Sequence, residues 1–196
     1  NKYNIVISSS LDGPSKVHDF NRIRPGRNSH ELTVKGINLV KEHMGEEHLS
    51  ALMTTSTESL KYPIEIIDEY RRLGFKSVFL RPISPYGFAV YNKRSHYLTE
   101  DFLEFYKTGL NYILDLNRNG EFIKETYTCI LLKRILTSFS EGYVDLMSPT
   151  GLVNNVIVYD YDGRIFASDE SRMLAQMKDD TFLLGNVDNT WEELLA

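Results

Sequence analysis

The sequence predicts an α/β fold built on parallel strands, and three observations support this prediction. Three short segments, Asn4–Ser10, Leu49–Thr55 and Ser77–Arg81, have the length and composition of buried strands. Stretches with helical periodicity separate them, and turn residues such as Gly and Pro bound them. A strand–helix–strand–helix–strand order at this spacing is typical of parallel strands joined by right-handed crossovers.

The two helices between these strands have recognisable apolar faces and ends. From Asn28 to His43, Leu32, Gly36, Leu39 and Val40 fall on one face. Asn28 with Glu31 three residues later resembles a capping box, which predicts the start of this helix. The second helix is predicted to begin at Pro63, which suits a first helical turn, and to end at Gly74.

The second part of the chain follows a different pattern. Thr99–Asn117 and Glu121–Ser138 are predicted amphipathic helices, and a hairpin with a type I′ turn is predicted across Asp162–Gly163. The tail from Trp191 to Leu195 is predicted to close the chain as a short helix. We place the domain boundary between Phe139 and Pro149, which gives two domains, 1–140 and 141–196.

Composition excludes several classes of function. The net charge of −5, without a basic stripe, argues against a nucleic-acid partner. No apolar run reaches the roughly 20 residues that span a bilayer, so we expect no membrane partner and a cytoplasmic protein. The five histidines lack metal-ligand spacing, and Cys129 lies in an apolar helical stretch, where we expect an inert thiol. No metal site is therefore expected in this chain.

Ligand-binding loops in such units follow the carboxyl ends of the strands. That rule predicts one functional edge, formed by Ser10–Arg27, Thr54–Leu60 and Pro82–Ala89. Ser10 and a nearby arginine have the chemistry to bind a carboxylate, because the guanidinium is suited to bidentate contact and the hydroxyl adds a donor. The plainer interpretation is a tight turn followed by a solvated loop with polar caps.

The segment Ser10-Leu11-Asp12-Gly13-Pro14, followed by His18-Asp19 and an arginine, resembles the fourth strand and following loop of the radical S-adenosylmethionine (SAM) peptide-maturase barrel. Sulfatase-maturing enzymes carry this stretch. The resemblance implies that Ser10 and one arginine contact the methionyl carboxylate of SAM. Arg22, four residues after His18, is the preferred arginine, with Arg24 and Arg27 as competitors.

The segment from Tyr159 to Val187 is similar to the SPASM auxiliary region of the same enzymes, with Asp162-Gly163 and Gly185-Asn186 as matching pairs. Ser168 stands where that region has a cluster-ligating cysteine, and a hydroxyl does not replace a thiolate as a cluster ligand. The resemblance implies that Asp169 is the catalytic aspartate that accepts a substrate proton. Without the resemblance, the segment is interpreted as the exposed acidic end of a hairpin.

Taken together, the motifs resemble the radical SAM maturase associated with His-Xaa-Ser repeat peptides. Beyond those above, the resemblance includes Ile67–Phe75, Leu80–Ala89, Gly142–Leu146 and Ser168–Leu174. It places Arg81, at the end of the third predicted strand, with Ser10 and Arg22 among the cofactor-binding residues.

The resemblance implies the C-terminal half of a radical SAM partial barrel, followed by helices and a truncated SPASM-like hairpin. The full-length enzyme would use SAM and a 4Fe-4S cluster to modify a peptide or protein, such as a His-Xaa-Ser repeat peptide. We expect this chain to be an internal fragment that binds no cluster, carries no cofactor and is inactive alone. Two alternatives stay open: a non-catalytic α/β binding domain, and a hydrolase or lyase that uses Asp12, Asp169 and Glu170 as acid and base.

Overall fold

The computed structural model describes residues 5–84, 86–92, 96–140, 142–143, 153 and 156–194, and divides the chain into two compact units. The first unit comprises 1–83 and 94–137, and the second comprises 84–93 and 138–196. The division into domains 1–140 and 141–196 stays a prediction, because most of the boundary region lies outside the described residues. Each unit is described by itself below.

Two parallel strands open the first unit. Strand β1 (Ile7–Ser10) pairs with β2 (Leu49–Leu52) in a register that sets Ile7 opposite Leu49 and Ser10 opposite Leu52. The Leu11 amide continues the ladder by donating to the Leu52 carbonyl at 2.9 Å. Helices α1 (Ser15–Asn21) and α2 (Ser29–Met44) connect the strands. The predicted parallel strand–helix–strand unit is confirmed.

A second parallel pair follows after helix α3 (Pro63–Arg72). Strand β3 (Ser77–Val78) pairs with β4 (Lys124–Glu125), and helix α4 (Thr99–Arg118) lies between them in sequence. Among the described residues no ladder joins β2 to β3, so the α/β class with parallel strands is confirmed, whereas a barrel is not shown.

The prediction of a helix from Glu121 to Ser138 is wrong at its beginning. Residues 124–125 form β4, and helix α5 runs over Thr126–Leu136. The physical reason is the side chain of Glu125, which accepts a hydrogen bond from the Thr128 amide and so caps the helix at this point. The capping residue has extended backbone, which allows it to pair with β3.

The core of the first unit lies between the strands and the helices α3 and α4. Its fully buried members include Leu11, Ile66, Ile67, Tyr70 and Leu80. The Tyr70 hydroxyl donates to the Leu11 carbonyl at 2.7 Å, which satisfies a polar group in an apolar surrounding. The end of β1 is therefore attached directly to the core.

The predicted capping box at Asn28 and Glu31 is wrong. No side-chain hydrogen bond from Asn28 caps α2. Instead, the Asp19 carboxylate accepts from the His30 amide at 2.8 Å and from the Ser29 hydroxyl at 2.6 Å. Asp19 belongs to α1, so the short helix in the supposed solvated loop supplies the cap of the next helix.

The second unit contains a three-stranded antiparallel sheet in the order β5 (Val158–Tyr159), β6 (Arg164–Phe166), β7 (Leu183–Asn186). Helix α6 (Asp169–Gln176) follows β6, and α7 (Trp191–Leu194) follows β7, close to the predicted terminal helix, although Leu195 lies outside the described residues. The predicted segment Gly142–Leu146 lies mostly outside them as well.

The predicted hairpin is confirmed, but its type I′ turn is wrong. That turn needs a positive φ at both central residues, and only Gly163 has one, at +85°. The loop is longer, because the Gly163 amide donates to the Asp160 carbonyl at 3.1 Å and the Asp160 amide donates to the Arg164 carbonyl at 2.9 Å. A four-residue turn that ends on a left-handed glycine results.

None of the helices among the described residues combines the length and the apolar composition that crossing a bilayer requires.

Candidate functional site

Side-chain hydrogen bonds tie together the loops that follow three strands of the first unit. The carboxylate of Asp12, beyond β1, accepts from the Thr54 amide, beyond β2, at 2.9 Å. The hydroxyl of Thr55 donates to the Arg81 carbonyl, beyond β3, at 2.7 Å. The structure thus brings together two of the three segments that the strand order assigned to one edge, Ser10–Arg27 and Thr54–Leu60, and joins to them Arg81, the residue before the third segment. Residues 84–89 of the third loop belong to the second unit.

Asp12 and Arg22 form a bidentate ion pair in this cluster of loops. Arg22 Nε donates to Asp12 Oδ2 at 2.8 Å, and Nη2 donates to Oδ1 at 3.1 Å. The Asp12 side chain is 1% exposed and that of Arg22 is 36% exposed. The carboxylate is therefore the fixed partner, and the guanidinium extends from it toward solvent.

The turn at Asp12 and Gly13 is determined by its contacts with α3. Gly13 has φ +128°, and a Cβ atom there would lie 2.7 Å from Ile66 Cγ1. Glycine is required because a side chain would be strained in this backbone conformation and would overlap Ile66. The Asp12 amide donates to His18 Nδ1 at 3.2 Å. Helices α1 and α3 thus fix the loop from both sides.

His18 lies within a buried polar network between the helices. Burial lowers the pKa of His18, and its Nδ1 accepts a hydrogen bond, so the neutral imidazole carries its proton on Nε2, 3.3 Å from Thr33 Oγ1. His30 contacts His18 edge to face and lies 2.7 Å from Glu69 Oε1. These contacts give His18 a structural role rather than that of a metal ligand.

Glu69 supplies the carboxylate of this network. Burial alone would raise the pKa of Glu69, but the hydrogen bonds from Arg72 and His30 outweigh it and lower the pKa. The Arg72 contacts measure 2.8 Å from Nε and 2.6 Å from Nη2. The carboxylate is thereby held in its charged form.

The remaining residues of the predicted SAM site differ in their exposure and in their contacts. Ser10 ends β1 and is exposed, and the pleat of a strand places it on the same face as Ser8. Arg24 and Arg27 are exposed and lie beyond α1. The Arg81 guanidinium lies 5.8 Å from the centre of the Phe79 ring. Of the three competing arginines, only Arg22 belongs to the hydrogen-bonded cluster of strand-end loops.

Asp169, the predicted catalytic aspartate, is in the second unit at the start of α6. Its Oδ1 accepts from Arg172 Nε at 3.0 Å and Nη2 at 2.8 Å, and its side chain is about half exposed, at 51%. Ser168, at the expected cysteine position, is buried and caps the helix by accepting from the Ser171 amide at 3.2 Å. Ser168 therefore has a structural function of its own.

Several polar residues within the predicted edge segments Ser10–Arg27 and Thr54–Leu60 had no individual role predicted from the sequence. Asn21, Ser56 and Ser59 form a cluster beside Thr54, in which the Ser56 hydroxyl donates to Asn21 Oδ1 at 2.6 Å. Asn21 lies 35 residues from Ser56 and 38 residues from Ser59 in the sequence. The one available signal was Thr54-Thr55-Ser56 at the end of the predicted strand Leu49–Thr55, a polar sequence that is typical of a strand end.

A cavity of about 590 Å³ lies at a different place in the first unit. It is found beyond the carboxyl end of α3, and its wall includes Arg71, Lys76, Glu121 and Phe122. Arg71 already contacts Glu121 and Asp68. The cavity offers mixed charge and an exposed aromatic ring, and none of the residues predicted for the SAM site lines it.

The residues of this chain do not fit an iron–sulfur cluster. Such clusters take three or four thiolates, and the sequence holds one cysteine, Cys129, which is half-buried in α5. Within the described ranges no group of three His, Cys, Asp or Glu side chains is arranged to hold a metal ion. Ser10 and Arg22, by contrast, have the donors that the carboxylate of SAM requires.

Solved structures share this α/β fold. Native anSMEcpe with bound AdoMet (SAM) superposes with a TM-score of 0.70 at 20% identity, over 99% of this chain and 50% of that chain. Native anSMEcpe with bound AdoMet and the Kp18Cys peptide gives a TM-score of 0.69 at 20% identity, over 99% of this chain and 51% of that chain. At this identity the likeness shows the fold.

Comparison at the sequence level is sparser. No family model matches the chain. The protein named "Uncharacterized protein sll1766" from Synechocystis sp. is 28% identical over 193 residues, which cover 95% of this chain and 45% of that protein. The chain therefore spans about half the length of the proteins it matches.

Proposed function

We propose that this chain is part of a radical SAM enzyme that modifies a peptide or protein, and that it forms the part of the SAM site that binds the carboxylate. The observation that carries the proposal is the bidentate pair of Asp12 and Arg22 directly beyond β1, the strand that Ser10 ends. It lies on a fold shared with structures that hold AdoMet.

The residue types match the ligand. A guanidinium and a hydroxyl together offer three or more directed N–H and O–H donors to one carboxylate. Arg22 is preferred over Arg24 and Arg27 because its guanidinium is already oriented by Asp12. Arg81 would line the same edge, since its backbone is bonded to Thr55.

The peptide partner is supported by two shared-fold structures, which contain the Kp18Cys and Cp18Cys peptides besides AdoMet. The motifs that resemble the maturases of His-Xaa-Ser repeat peptides make such a peptide the candidate substrate. The 4Fe-4S cluster would take its thiolates from outside these 196 residues, because the chain holds one cysteine. The fragment alone would therefore be inactive.

Asp169 is the proposed group that handles the substrate proton. Its carboxylate is half exposed and is held by Arg172, which leaves Oδ2 without a hydrogen bond among the described residues. A carboxylate acts as a base when it lies within hydrogen-bond reach of the proton it removes. The SPASM-like hairpin would supply this residue, with Ser168 capping the helix that carries it.

Replacing Ser10 by alanine tests the SAM site. In the complete enzyme we expect the Kd for SAM to rise about 5-fold, because one hydrogen bond to the ligand is lost. Ser8→Ala is the matched control, since Ser8 is exposed on the same face of β1 two residues earlier. Isothermal titration with SAM measures both variants. A Ser10→Ala enzyme that binds SAM as tightly as the Ser8→Ala enzyme would contradict the proposal.

A further inference from the structure

The guanidinium of Arg22 has one occupied edge and one available edge. Asp12 binds Nε and Nη2. Among the described residues no hydrogen bond engages Nη1 of Arg22. Because a guanidinium carries five N–H donors in a planar fork, it can bind one carboxylate along the Nε–Nη2 edge and a second along the Nη1–Nη2 edge. The contact with Asp12 therefore leaves N–H donors of the same side chain available to a ligand carboxylate.

Asp12 is far more buried than the side chain it binds. Its carboxylate is 1% exposed and also accepts from the Thr54 amide at 2.9 Å. The residue before it is fixed by the Tyr70 hydroxyl, and the residue after it is confined by Ile66. Asp12 is thus a rigid point that joins β1, β2 and α3, and the position of the Arg22 guanidinium follows from it.

An arginine that is held in place before the ligand arrives loses less conformational freedom when it binds. Such an arrangement also fixes the direction from which the carboxylate must approach, because the fork is planar. Asp12 carries the opposite charge and so reduces the net attraction of the site for anions. Asp12 would therefore favour ligand binding by orienting the Arg22 guanidinium, and not by its charge.

We infer that Asp12 is a positioning residue, which orients the Nη1 edge of Arg22 toward the carboxylate of SAM and so selects ligands that carry this group. The inference rests on the proposed function and adds to it a residue that does not touch the ligand itself. It makes a specific claim about selectivity: Asp12 matters for the amino-acid part of the ligand and not for its adenosine part.

The test compares two ligands in the complete enzyme. SAM carries the carboxylate, whereas 5′-methylthioadenosine keeps the adenosine and the sulfur but lacks the amino-acid part. Asp12→Asn preserves the shape and an acceptor for the Thr54 amide, and it removes the charge that orients Arg22. We expect the Kd for SAM to rise on the order of 10-fold and the Kd for methylthioadenosine to change less than about 2-fold.

Asp19→Asn is the matched control for general destabilisation. Asp19 is also a hydrogen-bonded carboxylate of the β1–α2 connection, but it caps α2 and does not contact Arg22. Its replacement should lower the melting temperature without altering the ratio of the two Kd values. If Asp12→Asn does not fold, Asp12→Glu displaces the guanidinium by one methylene and should show the same selective loss in smaller size.

Three outcomes would overturn the inference, and they are distinguishable. A wild-type enzyme that binds neither ligand refutes the proposed function and the inference with it. Equal losses for both ligands in the Asp12 variants show a structural role alone, and leave the SAM site in place. Unchanged or tighter SAM binding in Asp12→Asn shows that Arg22 needs no positioning.

Discussion

Replacing Gly13 by alanine is expected to lower the free energy of unfolding of the first unit by about 3 kcal/mol. Two effects add here. The backbone at φ +128° disfavours any side chain, and the new Cβ would lie 2.7 Å from Ile66 Cγ1 on a buried side chain of α3. Chemical denaturation of the wild type and the variant, followed by circular dichroism, measures the difference.

Gly120→Ala is the control for the backbone term. Gly120 also has a positive φ, of +86°, but a Cβ there would meet no atom within 4 Å. Its replacement should cost about 1 kcal/mol, as a left-handed backbone does without overlap. If both variants lose the same free energy, Ile66 does not confine the turn that carries Asp12.

Replacing Glu125 by alanine should have an effect of similar size, a loss of about 3 kcal/mol. Its carboxylate, almost fully buried, accepts hydrogen bonds from the Leu80 amide at 3.1 Å and from the Tyr106 hydroxyl at 2.6 Å, besides the Thr128 amide. Alanine leaves these donors without their acceptor in a region closed to water. The free energy of unfolding by urea measures the loss.

Glu121→Ala provides the exposed counterpart four residues earlier. Glu121 pairs with Arg71 at the surface, where an ion pair contributes less than about 1 kcal/mol. Equal losses for the two glutamates would show that the Glu125 carboxylate does not link β4, α4 and α5.

Burial and the hydrogen bond to Glu125 also raise the pKa of Tyr106, so this tyrosine stays protonated and donating at neutral pH.

Elements with a long apolar period could be predicted from the sequence. Helices α2, α3 and α4 each repeat apolar residues over at least two turns, so their existence and approximate ends follow from local pattern. The hairpin across Asp162–Gly163 was predictable for a similar reason, since the turn residues are local. Its turn type was not, because Asp160 takes part in the hydrogen bonding of the loop.

Elements that depend on distant partners could not be predicted. Helix α1 spans seven residues and has only Val17 and His18 buried, too few to produce a periodic signal. Strand β4 consists of two residues that pair with β3, 47 positions away in sequence. Asp19 caps α2 across a loop, whereas the local capping candidate Asn28 makes no such bond.

The residues of the candidate site were likewise predictable only where the signal was local in sequence. Ser10 and Arg22 were found through a motif, which is local in sequence. The burial of Asp12, its bond to the Thr54 amide and the link from Thr55 to Arg81 join segments 26 to 42 residues apart. No spacing rule connects such positions, so the roles of Asp12 and of the hydroxyls beyond β2 became visible only in three dimensions.

Hydrogen–deuterium exchange of the complete enzyme, with and without SAM, tests most directly whether this chain forms the SAM site. The account predicts that SAM slows amide exchange in peptides that cover residues 10–27 and 54–56. It predicts no change in peptides that cover 71–76 and 120–123, which include residues that line the cavity beyond α3. Protection at that cavity with no change in residues 10–27 would contradict it.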